Sequence, residues 1–279
     1  MVADALAPAV DVRFWYAKNM RVLLIVAGLI FGLVFFLFLI LGIQVWLAMR
    51  NRPPAYTNPA VNPQRFGQSG PVLRYVVLGD STAAGQGTAY ADGIAVGSGK
   101  HLGAKNQVEL TNLAISGAKA ADVERKQLAQ AEKLKPDLVL ISVGANDVVS
   151  RTNPGEVAAS LRRITGRLAA ANCNVKIVLT GSAEMGAIPR FAQPLRTVAG
   201  RQTGYLNSRL YPWITAAGYT LAPIAADTGA AFKRDSALFG DDRFHPSAKG
   251  YALWLKTINP ALDRALAYQQ SHCKTATRL

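Results

Sequence analysis

Four short blocks lie in order along this chain, and their residue types supply the parts of a serine nucleophile. They are Gly79-Asp80-Ser81-Thr82, Asn112-Leu113-Ala114-Ile115-Ser116-Gly117, Gly144-Ala145-Asn146-Asp147 and Asp242-Arg243-Phe244-His245-Pro246. The first presents a hydroxyl on a turn after an apolar run. The second and third present hydrogen-bond donors on similar turns. The last presents an imidazole with a carboxylate three residues before it. Acyl transfer through a serine needs that inventory: a nucleophile, a base, a group that orients the base, and donors for the oxyanion.

Each block alone has a plainer reading. Gly-Asp-Ser is built of common residues and could be a strand–turn with a helix cap. Ala83-Ala84-Gly85 would permit a tight turn into a helix amino terminus, where backbone N–H groups favour negative charge. A Walker loop is not indicated, because the Gly-Lys-Ser/Thr ending is missing. His245 is one of three histidines. Pro246 keeps it out of helical geometry, so it should sit on an extended or turn segment before the last helix. On such a turn Asp242 can reach one ring nitrogen, fix the tautomer and leave the other nitrogen to take a proton from serine. Asp241 is a neighbouring carboxylate whose spacing fits less well. Asn146 could cap the turn after its strand, as could Asp147; alternatively its amide donates to an oxyanion. Gly117 is either an αL turn glycine or a point where a backbone N–H approaches a ligand closely.

Taken as an ordered set, the blocks resemble the SGNH hydrolase superfamily, also called the GDSL esterases/lipases, named for a Ser, a Gly, an Asn and a His. The matching positions are Ser81, Gly117, Asn146 and His245, with Asp242 in the Asp-x-x-His pair. The resemblance spans about residues 72–268, and Thr82 stands where many members have Leu. It implies a three-layer α/β/α, flavodoxin-like fold with about five parallel strands. It also implies hydrolysis of ester, thioester or amide acyl groups without metal or other cofactor. Ser81, Asp242 and His245 would then be catalytic, and the N–H groups of Ser81 and Gly117 with the Asn146 amide would form the oxyanion hole. A serine esterase acting on a small-molecule ester, a lipid or an acylated glycan is the resulting expectation. Some relatives transfer or remove acetyl groups on sugars and envelope polymers, so the alternative is an acyltransferase or deacetylase on cell-envelope glycans. A non-catalytic envelope-binding module fits less well, since binding needs no base beside a nucleophile.

The elements around these blocks can position them. Segments 73–78, 108–115, 138–143 and 175–180 read as strands, and 219–222 as a weaker fifth. Segments 120–134, 154–171, 197–217 and 247–268 carry helical patterns. Strands alternating with helices imply an α/β architecture with a parallel sheet covered on both faces. Sites in such sheets gather beyond the carboxyl ends of the strands, where all four blocks fall. Segment 85–105 is Gly-rich and reads as a long loop. Met185, Ile188, Phe191, Phe232, Leu238 and Phe239 follow the fourth and fifth strands, where they would line an acyl site or pack beneath loops.

The amino-terminal region is different. After a tail of residues 1–21, the stretch 22–49 contains no charged residue, and its 28 residues exceed the roughly 20 that cross a bilayer. A signal peptide has an apolar core of only about 7–15 residues, so a retained transmembrane helix is expected, with the membrane as a partner. Trp15, Tyr16 and Trp46 near its ends suit an interface. Gly28 and Gly32 would let two such helices pack closely, giving a weak homodimer. Arg13, Lys18 and Arg21 before the stretch balance Arg50, Arg52 and Arg65 after it, so charge does not set the orientation. A short tail before a long folded domain more often stays inside, which sends the catalytic domain to the extracytoplasmic side. Residues 50–70 read as a Pro-rich linker, 71–270 as the hydrolase domain and 271–279 as a carboxyl-terminal tail.

Of the net charge of +14, +10 lies after residue 70. A basic domain beside a membrane is drawn to anionic head groups or an acidic polymer. No Lys/Arg run is interleaved with aromatics, so nucleic acid is not an expected partner. Cys173 and Cys273 show no Cys-x-x-Cys spacing. In an oxidising compartment they could pair across about 100 residues; two free thiols fit the sequence equally well.

Overall fold

The computed structural model describes residues 12–50, 63–267 and 273, and its chain divides after Arg50 into two units. The first unit is one helix, α1 (Val12–Arg50), which starts within the expected tail and contains the apolar stretch Asn19–Leu47 with mean hydropathy 3.2. Leu29, Phe31 and Phe38 lie exposed on it. Apolar residues occupy every face, so no polar stripe is left for water. At 1.5 Å per residue the stretch measures roughly 43 Å, more than the ~30 Å hydrocarbon core. By length and composition it fits a membrane span or a signal sequence.

The second unit is built on one sheet. Its strands are β1 (Gln64–Phe66), β2 (Val72–Gly79), β3 (Gln107–Asn112), β4 (Leu138–Ser142), β5 (Lys176–Leu179) and β6 (Thr220–Leu221), in the order β1-β3-β2-β4-β5-β6. All neighbours from β3 to β6 pair in parallel, and β1 pairs antiparallel with β3. In chain order the five parallel strands therefore run 2-1-3-4-5, the flavodoxin-like winding, with its switch point between β2 and β4. These two strands are runs of Val, Leu and Ile because helices cover both their faces; every residue of β4 is buried. Gly79 pairs with Ser142, so the two strands end level and release their chains at the same edge.

The helices are α2 (Ile94–Leu102), α3 (Ala120–Lys126), α4 (Leu128–Leu134), α5 (Ala145–Val149), α6 (Pro154–Ala171), α7 (Leu195–Ala216), α8 (Ile224–Arg234) and α9 (Ala248–Ala267). Right-handed crossovers put α2 and α3 on opposite faces, because the chain winds outward from β2 to β3 and then back to β4. Helices α2 and α8 pack on α9, while α3 and α4 pack on α6. The three layers follow.

Several sequence expectations need correction. Segment 85–105 is not one long loop: it contains α2. Its glycines are packing surfaces, since a Cβ at Gly97 would lie 2.4 Å from Leu255 of α9 and one at Gly99 would lie 2.8 Å from the Phe66 ring. Phe66 belongs to β1, so part of the expected 50–70 linker is an edge strand; Pro53, Pro54 and Pro59 lie outside the described residues. The expected helix 120–134 breaks at Gln127, whose φ is −115°. Helix α8 was not expected at all; Ile224, Thr228 and Phe232 supply its buried stripe, one of them polar. Finally, Cys173 and Cys273 form a disulfide across a separation of 100 residues, which settles the question the sequence left open.

Candidate active site

The Ser81 turn begins where β2 must stop. Gly79 has φ +150°, and a Cβ there would lie 1.9 Å from the Ser142 carbonyl oxygen. Asp80 N donates to that same oxygen at 3.1 Å. The Asp80 carboxylate is buried and accepts from Thr82 N (2.9 Å) and Thr82 Oγ1 (2.7 Å), so the hydroxyl of Thr82 has a specific partner. Burial pushes the Asp80 carboxyl above its ordinary range, opposed by these two bonds. Ala84 N then donates to Asp80 O and Gln86 N to Ser81 O. The expected helix does not follow: Gly85 (φ +85°) and Gly87 (φ +100°) take left-handed conformations and end the turn.

The His245 loop is shaped just as locally. Arg243 adopts φ +54°, which folds the chain back so that Asp242 faces its successors. Asp242 Oδ1 accepts from Phe244 N and His245 N, each at 2.9 Å, and Oδ2 lies 2.5 Å from His245 Nδ1. Burial opposes the charge on Asp242, but the imidazole contact and the two N–H donors outweigh it and hold the carboxyl at about 2. A carboxylate can only accept, so Nδ1 carries the hydrogen. Nε2, which lies 2.9 Å from Ser81 Oγ, is then free to accept. Gly87 makes room for this meeting, since a Cβ there would lie 2.6 Å from His245 Cβ. Tyr251 of α9 secures the opposing loop by donating to Gln86 O at 2.6 Å.

The donor side is assembled from β3 and β4. Gly144 (φ +132°) turns the chain into α5, and Asn146 Nδ2 donates to Ala118 O at 3.0 Å, leaving the second amide hydrogen for a ligand. Asp147 Oδ2 accepts from Ala120 N at 3.0 Å, so two consecutive side chains hold the segment after Gly117. Burial raises the Asp147 carboxyl to about 6, against the Ala120 and Thr152 bonds and with a smaller push from Asp80. Gly117 is in the left-handed region (φ +80°) and exposed. Among the described residues, neither Ser81 N–H nor Gly117 N–H donates to a protein acceptor.

A pocket opens at Ser81, Asn146 and His245. Its apolar wall is Met185, Ile188, Phe232, Phe239, Phe244 and Trp254. Phe232 anchors the aromatic group, with ring centroids 5.1 Å from Phe239 and 5.7 Å from Trp254. Thus the structure brings Ser81, Asp242, His245 and Asn146 together. Gly117 sits on the adjoining loop, outside the pocket wall but tied to Asn146 through Ala118. Asp241 stays exposed. Of the six apolar residues expected near an acyl site, Met185, Ile188, Phe232 and Phe239 line the pocket; Phe191 and Leu238 do not. Sequence reasoning missed Trp254, which is masked as an ordinary apolar position of α9, and Gln127, which reads as a polar residue within a helix.

Residues 77–253 match the GDSL-like lipase/acylhydrolase family. Over 222 residues the chain is 29% identical to the GDSL-like esterase Rv1075c of Mycobacterium tuberculosis, covering 76% of this chain and 68% of that protein. The fold is similar to that of TesA, with a TM-score of 0.57 and 20% identity over 69% of this chain and 99% of that one. It is similar also to phospholipase A1 from Streptomyces albidoflavus, with a TM-score of 0.52 and 22% identity over 69% and 99% of the two chains. An acetylxylan esterase from Geobacillus stearothermophilus gives a TM-score of 0.52 and 19% identity over 72% and 97%. The chain belongs to the GDSL-like lipase/acylhydrolase family, within the SGNH superfamily, and is a hydrolase that acts on ester bonds.

Proposed function

We propose that this protein is a membrane-anchored serine esterase that cleaves carboxylic esters of aliphatic acids through an acyl-enzyme. The observation that carries the reading is the chain of contacts from Ser81 Oγ to His245 Nε2 (2.9 Å) and from His245 Nδ1 to Asp242 (2.5 Å). Ser81 Oγ attacks the ester carbonyl carbon while His245 Nε2 takes its proton. Asp242 holds the ring and stabilises the imidazolium. The carbonyl electrons move onto oxygen, which the N–H groups of Ser81 and Gly117 and the Asn146 amide receive. When the tetrahedral species collapses, the C–O bond to the alcohol breaks and His245 returns the proton to the leaving oxygen. Water repeats the sequence on the acyl-enzyme and frees the acid.

The apolar wall of Met185, Ile188, Phe232, Phe239 and Trp254 supports an aliphatic acyl group over acetyl, because burying methylenes there is favourable at about 0.8 kcal/mol each. Phospholipase A1 among the structural relatives agrees with that choice, whereas the acetylxylan esterase marks the acetyl alternative. Helix α1 supports anchoring, and the Cys173–Cys273 disulfide supports an oxidising, extracytoplasmic location. Nitrophenyl esters from acetyl to decanoyl test the acyl assignment. Rates should rise beyond acetyl, and Ile188→Trp should shift the optimum towards shorter chains. A profile that stays flat in both proteins would leave the pocket without a role in acyl selection.

A further inference from the structure

The pocket has a buried end and an open end. Phe232 and Trp254 are buried, whereas Phe244 is partly exposed and forms the rim beside His245. Two arginines flank Phe244, one over its ring and one beside it in the chain. The Arg190 guanidinium lies over the Phe244 ring, 5.6 Å from its centroid, and Arg243 is the exposed residue before Phe244. Their loops are joined, because Arg190 N donates to Arg243 O at 3.1 Å. Arg196 braces the same loop by donating to Phe191 O (3.0 Å) and Pro189 O (3.3 Å).

Neither Arg190 nor Arg243 forms an ion pair among the described residues. The nearby carboxylates are otherwise engaged or turned outward. Asp242 is held by His245 and two N–H groups, and Glu184 pairs with Lys233 at 3.2 Å. Asp241 is exposed on the same loop. The loops at the mouth therefore carry two arginines with no ion pair among the described residues, one of them within cation–π distance of the Phe244 ring, so their guanidinium donors are available to an anion.

Building on the reading of Ser81 as nucleophile, we propose that Arg190 and Arg243 form a subsite for an anionic group, a phosphate or a carboxylate, on the alcohol half of the ester. With the acyl chain in the apolar pocket, the alcohol leaves past Phe244, where a guanidinium fork can take two anionic oxygens side by side. The rim charge also draws such esters in before they dock.

The test uses the full-length protein and three hexanoyl monoesters, of glycerol 3-phosphate, glycerol and choline, with released hexanoate measured at low and high salt. The expected order of kcat/KM is anionic, then neutral, then cationic. The anionic-to-neutral ratio should be about tenfold or more at low salt and should shrink as salt rises. Arg190→Met and Arg243→Met should each bring that ratio towards one. A ratio near one in the unaltered protein would overturn the subsite. So would equal losses on the anionic and neutral esters in Arg190→Met, which would make the residue a packing partner of Phe244. Failure to hydrolyse any of the three would instead remove the serine-esterase reading on which the subsite rests.

Discussion

The side-chain amide of Gln127 closes hydrogen bonds with both backbone polar groups of Gly79, two residues before Ser81. Gly79 N donates to Gln127 Oε1 at 2.9 Å, and Gln127 Nε2 donates to Gly79 O at 2.8 Å. The chain after β3 still reaches Gly79 O but supplies no acceptor for Gly79 N, so the amide takes that place at the point from which the Ser81 turn springs. Gly79 O also accepts from Ile115 N, whereas Gly79 N has the glutamine as its acceptor.

Gln127→Met should therefore leave a buried N–H without an acceptor. A stability loss of about 1–3 kcal/mol is expected. Turnover should fall further than unfolding alone explains, with KM nearly unchanged, because the Ser81 turn loses its support. Chemical denaturation and steady-state rates on one nitrophenyl ester check both parts. Full activity in a folded Gln127→Met protein would contradict the positioning role.

Asp242→Asn keeps the shape of the loop but lets an amide hydrogen face Nδ1, which favours the tautomer with its hydrogen on Nε2. Turnover should drop by about 10³–10⁴. Circular dichroism should be unchanged at neutral pH. A loss of less than about tenfold would show that the imidazole is oriented by something other than Asp242.

Asn146→Ala removes the proposed oxyanion donor and the tie to Ala118 together. Turnover should fall by about 10²–10³, with a smaller change in KM. Gly117→Ala probes the second proposed donor differently. A Cβ there meets nothing within 4 Å, so any loss comes from the left-handed φ of +80° and not from a clash.

Asp147 offers a pH test. Its folded carboxyl is raised to about 6, above the ordinary value of 3.8, so the folded state binds the extra proton between those limits. Stability from this group is full below about pH 4 and is lost as pH rises through 6. Asp242 acts in the opposite sense: held at about 2, it stabilises above pH 4, and that contribution is lost as pH falls towards 2. Asp147→Asn should flatten the upper limb and gain on the order of 2–3 kcal/mol at pH 8. Urea midpoints from pH 4 to 8 measure the difference, and parallel curves for the two proteins would refute the assignment.

Much of this arrangement was legible in the residues. Short apolar runs such as 73–78 and 138–143 specify buried parallel strands, and the motif order places Ser81 and Asn146 just beyond strand ends and His245 in a late loop. The parts that were not legible depend on contacts distant in sequence. The glycines of α2 look like loop residues until Phe66 and Leu255 are seen to fill their faces. Gln127 looks like a helix surface residue until its partner, 48 positions away, is known. Trp254 carries no local sign that its ring reaches the Ser81 pocket. The turn after Ser81 was misread because small residues permit both a helix start and a left-handed exit, and Gly85 and Gly87 take the second.

The most direct measurement is mass-spectrometric mapping of a fluorophosphonate adduct on the full-length protein. A single adduct on Ser81 is expected, absent in Ser81→Ala and slowed at least a hundredfold in His245→Ala, because the probe reports the hydroxyl that the imidazole activates. An adduct on another residue, or undiminished labelling of Ser81→Ala, would contradict the assignment of Ser81 as the nucleophile.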